Sequence, residues 1–111
     1  MPAFNPQNKT ALDALWLAYP QVRAGKMFGF PAYFVGRKLC ACVYEDGLGL
    51  KLPAGTIARL LESDPHAAPF QPFGRQKMRE WVQITVPAPQ DFTAYLAYFE
   101  ESIQYVMQAA H

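Results

Sequence analysis

Apolar residues recur with helical spacing at both ends of the chain. Near the start, four of them follow the spacing i, i+3, i+4 and i+7: Leu12, Leu15, Trp16 and Tyr19. This stripe predicts a helix from about residue 8 to residue 19. A second stripe predicts a last helix from about residue 90 to residue 109, and its members are Phe92, Leu96, Phe99, Ile103 and Val106. Between them, Ile57, Leu60 and Leu61 predict a short helix over residues 53 to 62.

The segment from Phe28 to Leu52 has a different pattern, with short apolar runs separated by glycine. It predicts three antiparallel strands that form a meander with tight turns. Asp46-Gly47 suits a two-residue hairpin turn, and Gly36-Arg37 suits a turn that has glycine first. Gly29 predicts a bend or bulge near the start of the segment.

These two turns predict which residues share a sheet face, because residues opposite each other on neighbouring strands point to the same side. Tyr33 is then opposite Cys40, and Val43 is opposite Leu50. One face becomes the core face, with Ala32, Phe34, Leu39, Ala41, Val43, Leu48, Leu50 and Leu52. The second face is neither polar nor clearly core, with Tyr33, Val35, Lys38, Cys40, Cys42, Tyr44, Gly49 and Lys51.

A later strand is predicted from about Arg79 to Val86, because aliphatic and other residues alternate there. Val82 and Ile84 belong on the core face, which places Trp81 and Arg79 on the second face. A further short strand is expected near residues 70 to 73. The order of elements, α-β-β-β-α-β-β-α, predicts an α+β fold, a two-layer sandwich of an antiparallel meander sheet with helices packed on one face.

Length and composition indicate one folded domain over residues 1–111. Hydrophobic residues make up 51% of the chain and charged residues 17%, which is typical of a compact protein rather than a disordered one. The formal net charge of +1 gives no general attraction to nucleic acid or to membranes. The sequence starts without a basic segment followed by an apolar one, and no apolar run approaches the ~20 residues that span a bilayer. We therefore expect a cytoplasmic protein without membrane contact.

The two cysteines, Cys40 and Cys42, are separated by a single residue. A disulfide across so short a loop would be strained, and only His66 and His111 could add nitrogen ligands to a metal. We expect neither a disulfide nor a metal or other cofactor.

Three stretches of the sequence resemble the N-terminal domain of the TfoX/Sxy competence regulators. They are Lys26–Gly29 followed by Ala32–Val35, the central Leu39–Leu52, and Pro69-Phe70 through Gly74-Arg75 with Met78 and Trp81. The resemblance implies helix, three strands, helix, two strands and helix, similar to the secretion-chaperone-like α/β sandwiches. It also implies a regulatory domain without established catalytic residues. The family has a helical C-terminal domain after this one, so the chain is expected to be a stand-alone N-terminal domain.

Motifs for catalysis are missing from the sequence. A Cys–His nucleophile needs the thiolate beside an imidazole, whereas Cys40 and Cys42 fall within a strand and His66 within a proline-rich loop. Neither a phosphate-binding loop nor a G-x-S-x-G elbow is present. We predict that the chain is not an enzyme, and a small-molecule or thiol enzyme remains an alternative only if a pocket surrounds Cys40 or His66.

The second sheet face is the candidate partner-binding site. Its candidate residues are Tyr33, Val35, Cys40, Cys42, Tyr44 and Trp81. Exposed together they would form a contiguous apolar patch, which monomers rarely leave uncovered. A protein partner is expected to cover this face, most simply a second copy of the chain in a homodimer.

The rival hypothesis is a module that binds single-stranded nucleic acid through the same face. A basic rim would surround its aromatic residues, formed by Arg37, Lys38, Lys51, Arg75, Lys77 and Arg79. Basic residues beside aromatic stacking platforms bind single strands. Alternating cations are also common on solvated edge strands, where they discourage aggregation.

Overall fold

The computed structural model describes residues 3–72 and 79–108, which form a six-stranded antiparallel sheet with three helices. The predicted α+β fold class is confirmed. In chain order the elements are α1 (Pro6–Trp16), β1 (Val22–Met27), β2 (Phe30–Val35), β3 (Lys38–Tyr44), β4 (Gly47–Lys51), α2 (Ala54–Ser63), β5 (Ala67–Pro69), β6 (Trp81–Ile84), a 3₁₀ helix (Pro89–Tyr95) and α3 (Leu96–Gln108).

The strand order in the sheet is β1-β2-β3-β4-β6-β5. The first four strands form a meander, and the three strands predicted between Phe28 and Leu52 are confirmed as β2, β3 and β4. Strand β1 precedes that segment and was not predicted, because Val22 is its only buried residue and its sequence shows no alternation. Phe28 and Gly29 form the two-residue turn into β2, with φ angles of 52° and 86°. The bend expected at Gly29 is therefore a hairpin turn.

The hairpin of β3 and β4 turns at Glu45-Asp46, so the predicted Asp46-Gly47 turn was wrong. Tyr44 pairs with Gly47, and Glu45 takes the positive φ of 51°. Gly47 is required for a different reason, because a Cβ atom there would lie 2.6 Å from the carbonyl oxygen of Ile84. Val43 consequently pairs with Leu48. The pairing moved by two positions, which leaves β4 and residues 41–44 of β3 on their predicted faces.

An extra residue in β3 changes the faces of β2. Phe34 pairs with Leu39 as predicted, but the next pair is Tyr33 with Ala41, which leaves Cys40 as a bulge. The predicted pair of Tyr33 with Cys40 was therefore wrong. A one-residue slip moves side chains to the opposite face, so Tyr33 joins Ala41 on the core face.

All three helices pack on the core face of the sheet. Trp16 of α1 stacks between Tyr33 and Phe99, at ring-centroid distances of 5.4 and 4.6 Å. The fully buried members of this core from the sheet and helices include Leu12, Ala41, Val43, Leu48, Leu50, Val82, Ile84 and Phe92. The predicted apolar stripe of the last helix is confirmed in α3, where Phe99 is buried against the sheet core. The result is one helix layer over one sheet layer.

The remaining elements differ from the sequence prediction mainly at their ends. The side chain of Asn5 accepts a hydrogen bond from the amide of Gln7 at 2.9 Å, so α1 begins at Pro6. The short strand expected near residues 70 to 73 is β5, Ala67–Pro69, and part of the expected range lies outside the described residues. Trp81–Ile84 pairs with both β4 and β5, as a strand inside the sheet.

Candidate functional site

The sheet face opposite the helices carries a second apolar cluster. We call this surface the helix-free face, and its buried members are Phe30, Ala32, Cys42, Tyr44, Phe70 and Trp81. The aromatic rings form a connected row, because Phe30 lies 5.0 Å from Tyr44 and Phe70 lies 5.7 Å from Trp81 between ring centroids. Phe70 also meets Tyr44 edge to face at 5.2 Å. Such tilted and edge contacts are favourable arrangements of aromatic rings.

Phe70 covers one part of the helix-free face. It follows β5 in the chain, and only 2% of its surface is exposed. A Cβ atom on Gly49 would lie 2.9 Å from the Phe70 ring and 3.1 Å from the Cys42 sulfur. The ring therefore occupies space that only a glycine in β4 leaves free. This cover was not predicted from the sequence, where its visible signal was Phe70 beside two prolines.

Three of the predicted site residues are not on the helix-free face. Tyr33, Val35 and Cys40 belong to the core under the helices, so their placement with Tyr44 was wrong. The bulge at Cys40 is the cause, because it reverses the faces of β2. The hydroxyl of Tyr33 donates to Oδ1 of Asp13 in α1 at 2.6 Å. Desolvation by burial and this hydrogen bond raise the pKa of Tyr33.

The other three predicted residues, Cys42, Tyr44 and Trp81, lie on the helix-free face. The structure brings them together with Phe70, but it also buries them. Trp81 is 8% exposed and Tyr44 9%, whereas Cys42 is not exposed at all. These residues therefore support the face from within and offer little contact surface of their own.

Solvent reaches the helix-free face at its β1 and β2 side. Half-buried apolar residues pack against the margins of the aromatic cluster: Met27, Phe34, Leu39, and Phe4, which forms a bridge with Glu45 at the end of β3. Phe34 and Leu39 are directly paired across β2 and β3. The Arg23 guanidinium lies 5.2 Å from the centre of the Phe34 ring, within the range of a cation–π contact. The sequence analysis missed Phe34 and Leu39 as surface residues because it assigned both to the core face.

The predicted basic rim lies along one end of the sheet, as far as the structure describes it. Arg37 and Lys38 are exposed at the turn between β2 and β3, and the register places Lys51 next to Trp81 at the same end. Lys51 is partly neutralised by Glu80, at 3.9 Å between Nζ and Oε1. Arg79 is exposed just before β6. Arg75 and Lys77 lie outside the described residues.

The two thiols are free and buried. Burial raises the pKa of Cys42 to about 12 and that of Cys40 to about 11. Both are therefore protonated near neutral pH, and a protonated thiol is a poor nucleophile. Within residues 3–72 and 79–108, no cluster of His, Cys, Asp and Glu side chains could hold a metal ion.

No family model, curated protein or solved structure matches this chain. The resemblance to the TfoX N-terminal domain therefore stays a prediction. Among the described helices, none has the length and apolar character needed to cross a bilayer. The function must be inferred from the residues of the helix-free face and from the rest of the surface.

A small polar cluster lies on the helix side near the start of β5. The Tyr95 hydroxyl donates to Oδ2 of Asp64 at 2.7 Å, and Nδ1 of His66 lies 3.6 Å from Oδ1 of the same carboxylate. Desolvation, followed by the hydrogen bond to Asp64, raises the pKa of Tyr95. The Asp64 side chain also accepts from the amide of His66 at 2.8 Å. These contacts connect the end of α2 to the 3₁₀ helix, so we interpret the cluster as structural.

Proposed function

We propose that this chain is a non-enzymatic interaction domain that associates with a second copy of itself through the helix-free face. The observation that carries the proposal is the pair of half-buried apolar side chains Phe34 and Leu39 on that face. No helix of the described residues covers them. They are also continuous with a packed aromatic cluster, so the surface beneath them is rigid.

A two-fold dimer is the simplest way to bury such a surface. The same patch then serves both copies, and symmetric pairs are the commonest protein assemblies. Met27 and Phe4 are further half-buried apolar residues of the same cluster, near the opposite ends of β2 and β3 from Phe34 and Leu39. The covered part under Phe70 stays closed in each copy, so the contact surface is the β1 and β2 side.

The state of the thiols supports a role without catalysis. Cys40 and Cys42 are the nucleophiles that the sequence offered, and both are buried with raised pKa values. Burial of a thiol in apolar surroundings makes it inert. The resemblance to the TfoX N-terminal domain is consistent with a regulatory role through protein contact in the cytoplasm, and we include that role and location in the proposal.

The rival nucleic-acid module has less support from the geometry. Its stacking platforms were Tyr33, Tyr44 and Trp81, and all three are less than a tenth exposed. Bases stack on aromatic rings that solvent can reach. We therefore treat binding of single-stranded nucleic acid as the competing outcome of the experiment.

The test is the molar mass in solution, measured by sedimentation equilibrium over a range of micromolar concentrations. We expect a concentration-dependent dimer that Leu39→Lys weakens at least about tenfold, because the new charge would be buried in the interface. Leu17→Lys is the matched control, since Leu17 is a 44% exposed leucine at the end of α1 in the helix layer. It should leave the dimer unchanged.

A wild-type protein that stays monomeric would refute self-association. So would a dimer that Leu39→Lys leaves intact. A parallel titration uses a fluorescent single-stranded oligonucleotide at low salt. Binding that weakens steeply with salt and survives in a monomeric protein would favour the nucleic-acid module instead.

A further inference from the structure

Strand β1 forms one edge of the sheet, and its outer side is open among the described strands. It pairs with β2 on one side, and no other strand of residues 3–72 and 79–108 pairs with it. Six residues, Val22–Met27, are long enough to pair with another extended segment. An open edge offers unpaired backbone groups, which can bind an added strand through main-chain hydrogen bonds.

The side chains around this edge carry an excess of positive charge. Residues 3 to 44 contain five basic side chains and one acidic side chain. The basic ones are Lys9, Arg23, Lys26, Arg37 and Lys38, and the acidic one is Asp13. Lys9 Nζ lies 2.6 Å from Asp13 Oδ2, and Tyr33 uses the other oxygen of that carboxylate. Both oxygens of Asp13 are therefore engaged by groups of this chain, Lys9 and Tyr33.

Lys26 is one of the cations that have no carboxylate partner in the described residues, and it is the one that lies in a cleft. It is exposed on β1, and it lines a cleft of about 430 Å³ between that strand and α1. Lys9 and Asp13 of α1 form the opposite wall. Ala24 and Gly25 form the β1 wall beside Lys26. The small side chain of Ala24 leaves room for side chains from outside, whereas the Phe34 ring fills the space at Gly25, 2.8 Å from where a Cβ would lie.

We propose that the β1 edge binds an extended acidic peptide segment of another protein as an added strand. The main chain of the peptide pairs with β1. Because side chains alternate along a strand, every second one enters the cleft, where an Asp or Glu meets the ammonium group of Lys26. Lys9 adds attraction from the α1 side of the cleft.

Charge also argues against a second copy of the chain as the occupant of this edge. Two β1 strands side by side would bring Arg23 and Lys26 of both copies onto one short pair of strands. Like charges on neighbouring strands destabilise pairing, and cations on edge strands are a common protection against self-pairing. An acidic segment turns the same cations into attraction. The cleft borders the helix-free face at Phe4 and Ala32, but Leu39 does not line it, so each proposal can fail alone.

The probe is a fluorescent peptide of alternating valine and glutamate, with blocked ends and a length matched to β1. We expect it to bind in an anisotropy titration, more weakly as salt increases. Replacing its glutamates by lysine should abolish binding. Methylating alternate backbone nitrogens, which removes strand hydrogen bonds, should abolish it as well. Amide NMR signals that shift on binding should lie in residues 22–27.

Lys26→Glu should weaken binding about tenfold, because it replaces an attractive charge by a repulsive one in the cleft. The matched control is Arg59→Glu, since Arg59 is an exposed cation on α2. It should change the affinity by less than about twofold. Leu39→Lys should also leave peptide binding unchanged, which separates this site from the proposed dimer.

Four results would overturn the inference. The first is that the peptide does not bind at concentrations near 1 mM. The second is that it binds the wild-type protein and Lys26→Glu equally. The others are NMR signal shifts on the helix-free face in place of β1, and dimerisation of the protein through β1. A single-stranded oligonucleotide that binds the same strand more tightly than the peptide would overturn it too.

Discussion

Truncating Phe70 to alanine tests whether one side chain closes the helix-free face. The ring is 2% exposed and touches Tyr44, Trp81 and the Cα position of Gly49. Loss of a buried phenylalanine side chain costs about 3–5 kcal/mol, through lost burial and the cavity that remains. Phe70 follows a short edge strand that can relax into the space, so we expect about 3 kcal/mol. For a domain of this size that corresponds to a fall in Tm of roughly 12–24 °C.

The assay is urea unfolding followed by circular dichroism, with dye binding to exposed apolar surface measured on the folded protein. Phe70→Ala should bind more dye than the wild type, because it uncovers Tyr44 and Trp81. Phe70→Leu is the graded control, which keeps most of the apolar volume and should cost about 1–1.5 kcal/mol. A loss below about 1 kcal/mol in Phe70→Ala, without added dye binding, would show that Phe70 does not hold this face closed.

Three further predictions concern the register, the buried hydrogen bond and the thiols. Gly47→Ala should lower the free energy of unfolding, measured in urea, by about 1–3 kcal/mol, because the new Cβ would lie 2.6 Å from the Ile84 oxygen. An unchanged urea midpoint would contradict the register of β4 against β6. Tyr33→Phe keeps the ring stack but loses the hydrogen bond to Asp13, so it should cost about 1.5–3 kcal/mol, and a cost below about 0.5 kcal/mol would disprove that bond. Burial raises the pKa of Cys42 from 9.0 to about 12. Between these pH values the folded state keeps a proton that the unfolded state releases, so the free energy of unfolding falls as pH rises from about 9 to 12. Cys42→Ala should show a shallower loss over that range, and identical slopes would refute the effect.

Local pattern was enough to predict most of the fold. The helical stripes predicted α1, α2 and α3, and the alternation of Val82 and Ile84 placed Trp81 on the correct face. The faces of β4 and of residues 41–44 were also correct, although the turn between β3 and β4 was not. Gly47 explains the error at the turn, because it resembles a turn glycine but is needed for close contact with β6, while Glu45 takes the positive φ angle. A short-range motif cannot distinguish these two reasons for a glycine.

The candidate site was harder to predict, because it depends on contacts between distant parts of the chain. The bulge at Cys40 cannot be derived from alternation, and it moved Tyr33 into the core and Phe34 to the surface. Phe70 covers residues that are more than twenty positions earlier in the sequence. Strand β1 was missed since its residues are mostly exposed. Its open edge became apparent only from the order of strands in the sheet.

The bulge at Cys40 also has a consequence for how this surface can change. Cys40 is the residue of β3 that has no partner in β2, whereas Phe34 pairs with Leu39 and Tyr33 with Ala41 on either side of it. Deleting Cys40 would bring these two pairs into one uninterrupted ladder and leave Tyr33 beneath the helices and Phe34 on the helix-free face. A chain one residue shorter in β3 would therefore present the same apolar pair to a partner, so this surface tolerates a change in strand length that would reverse the faces of an unbulged strand.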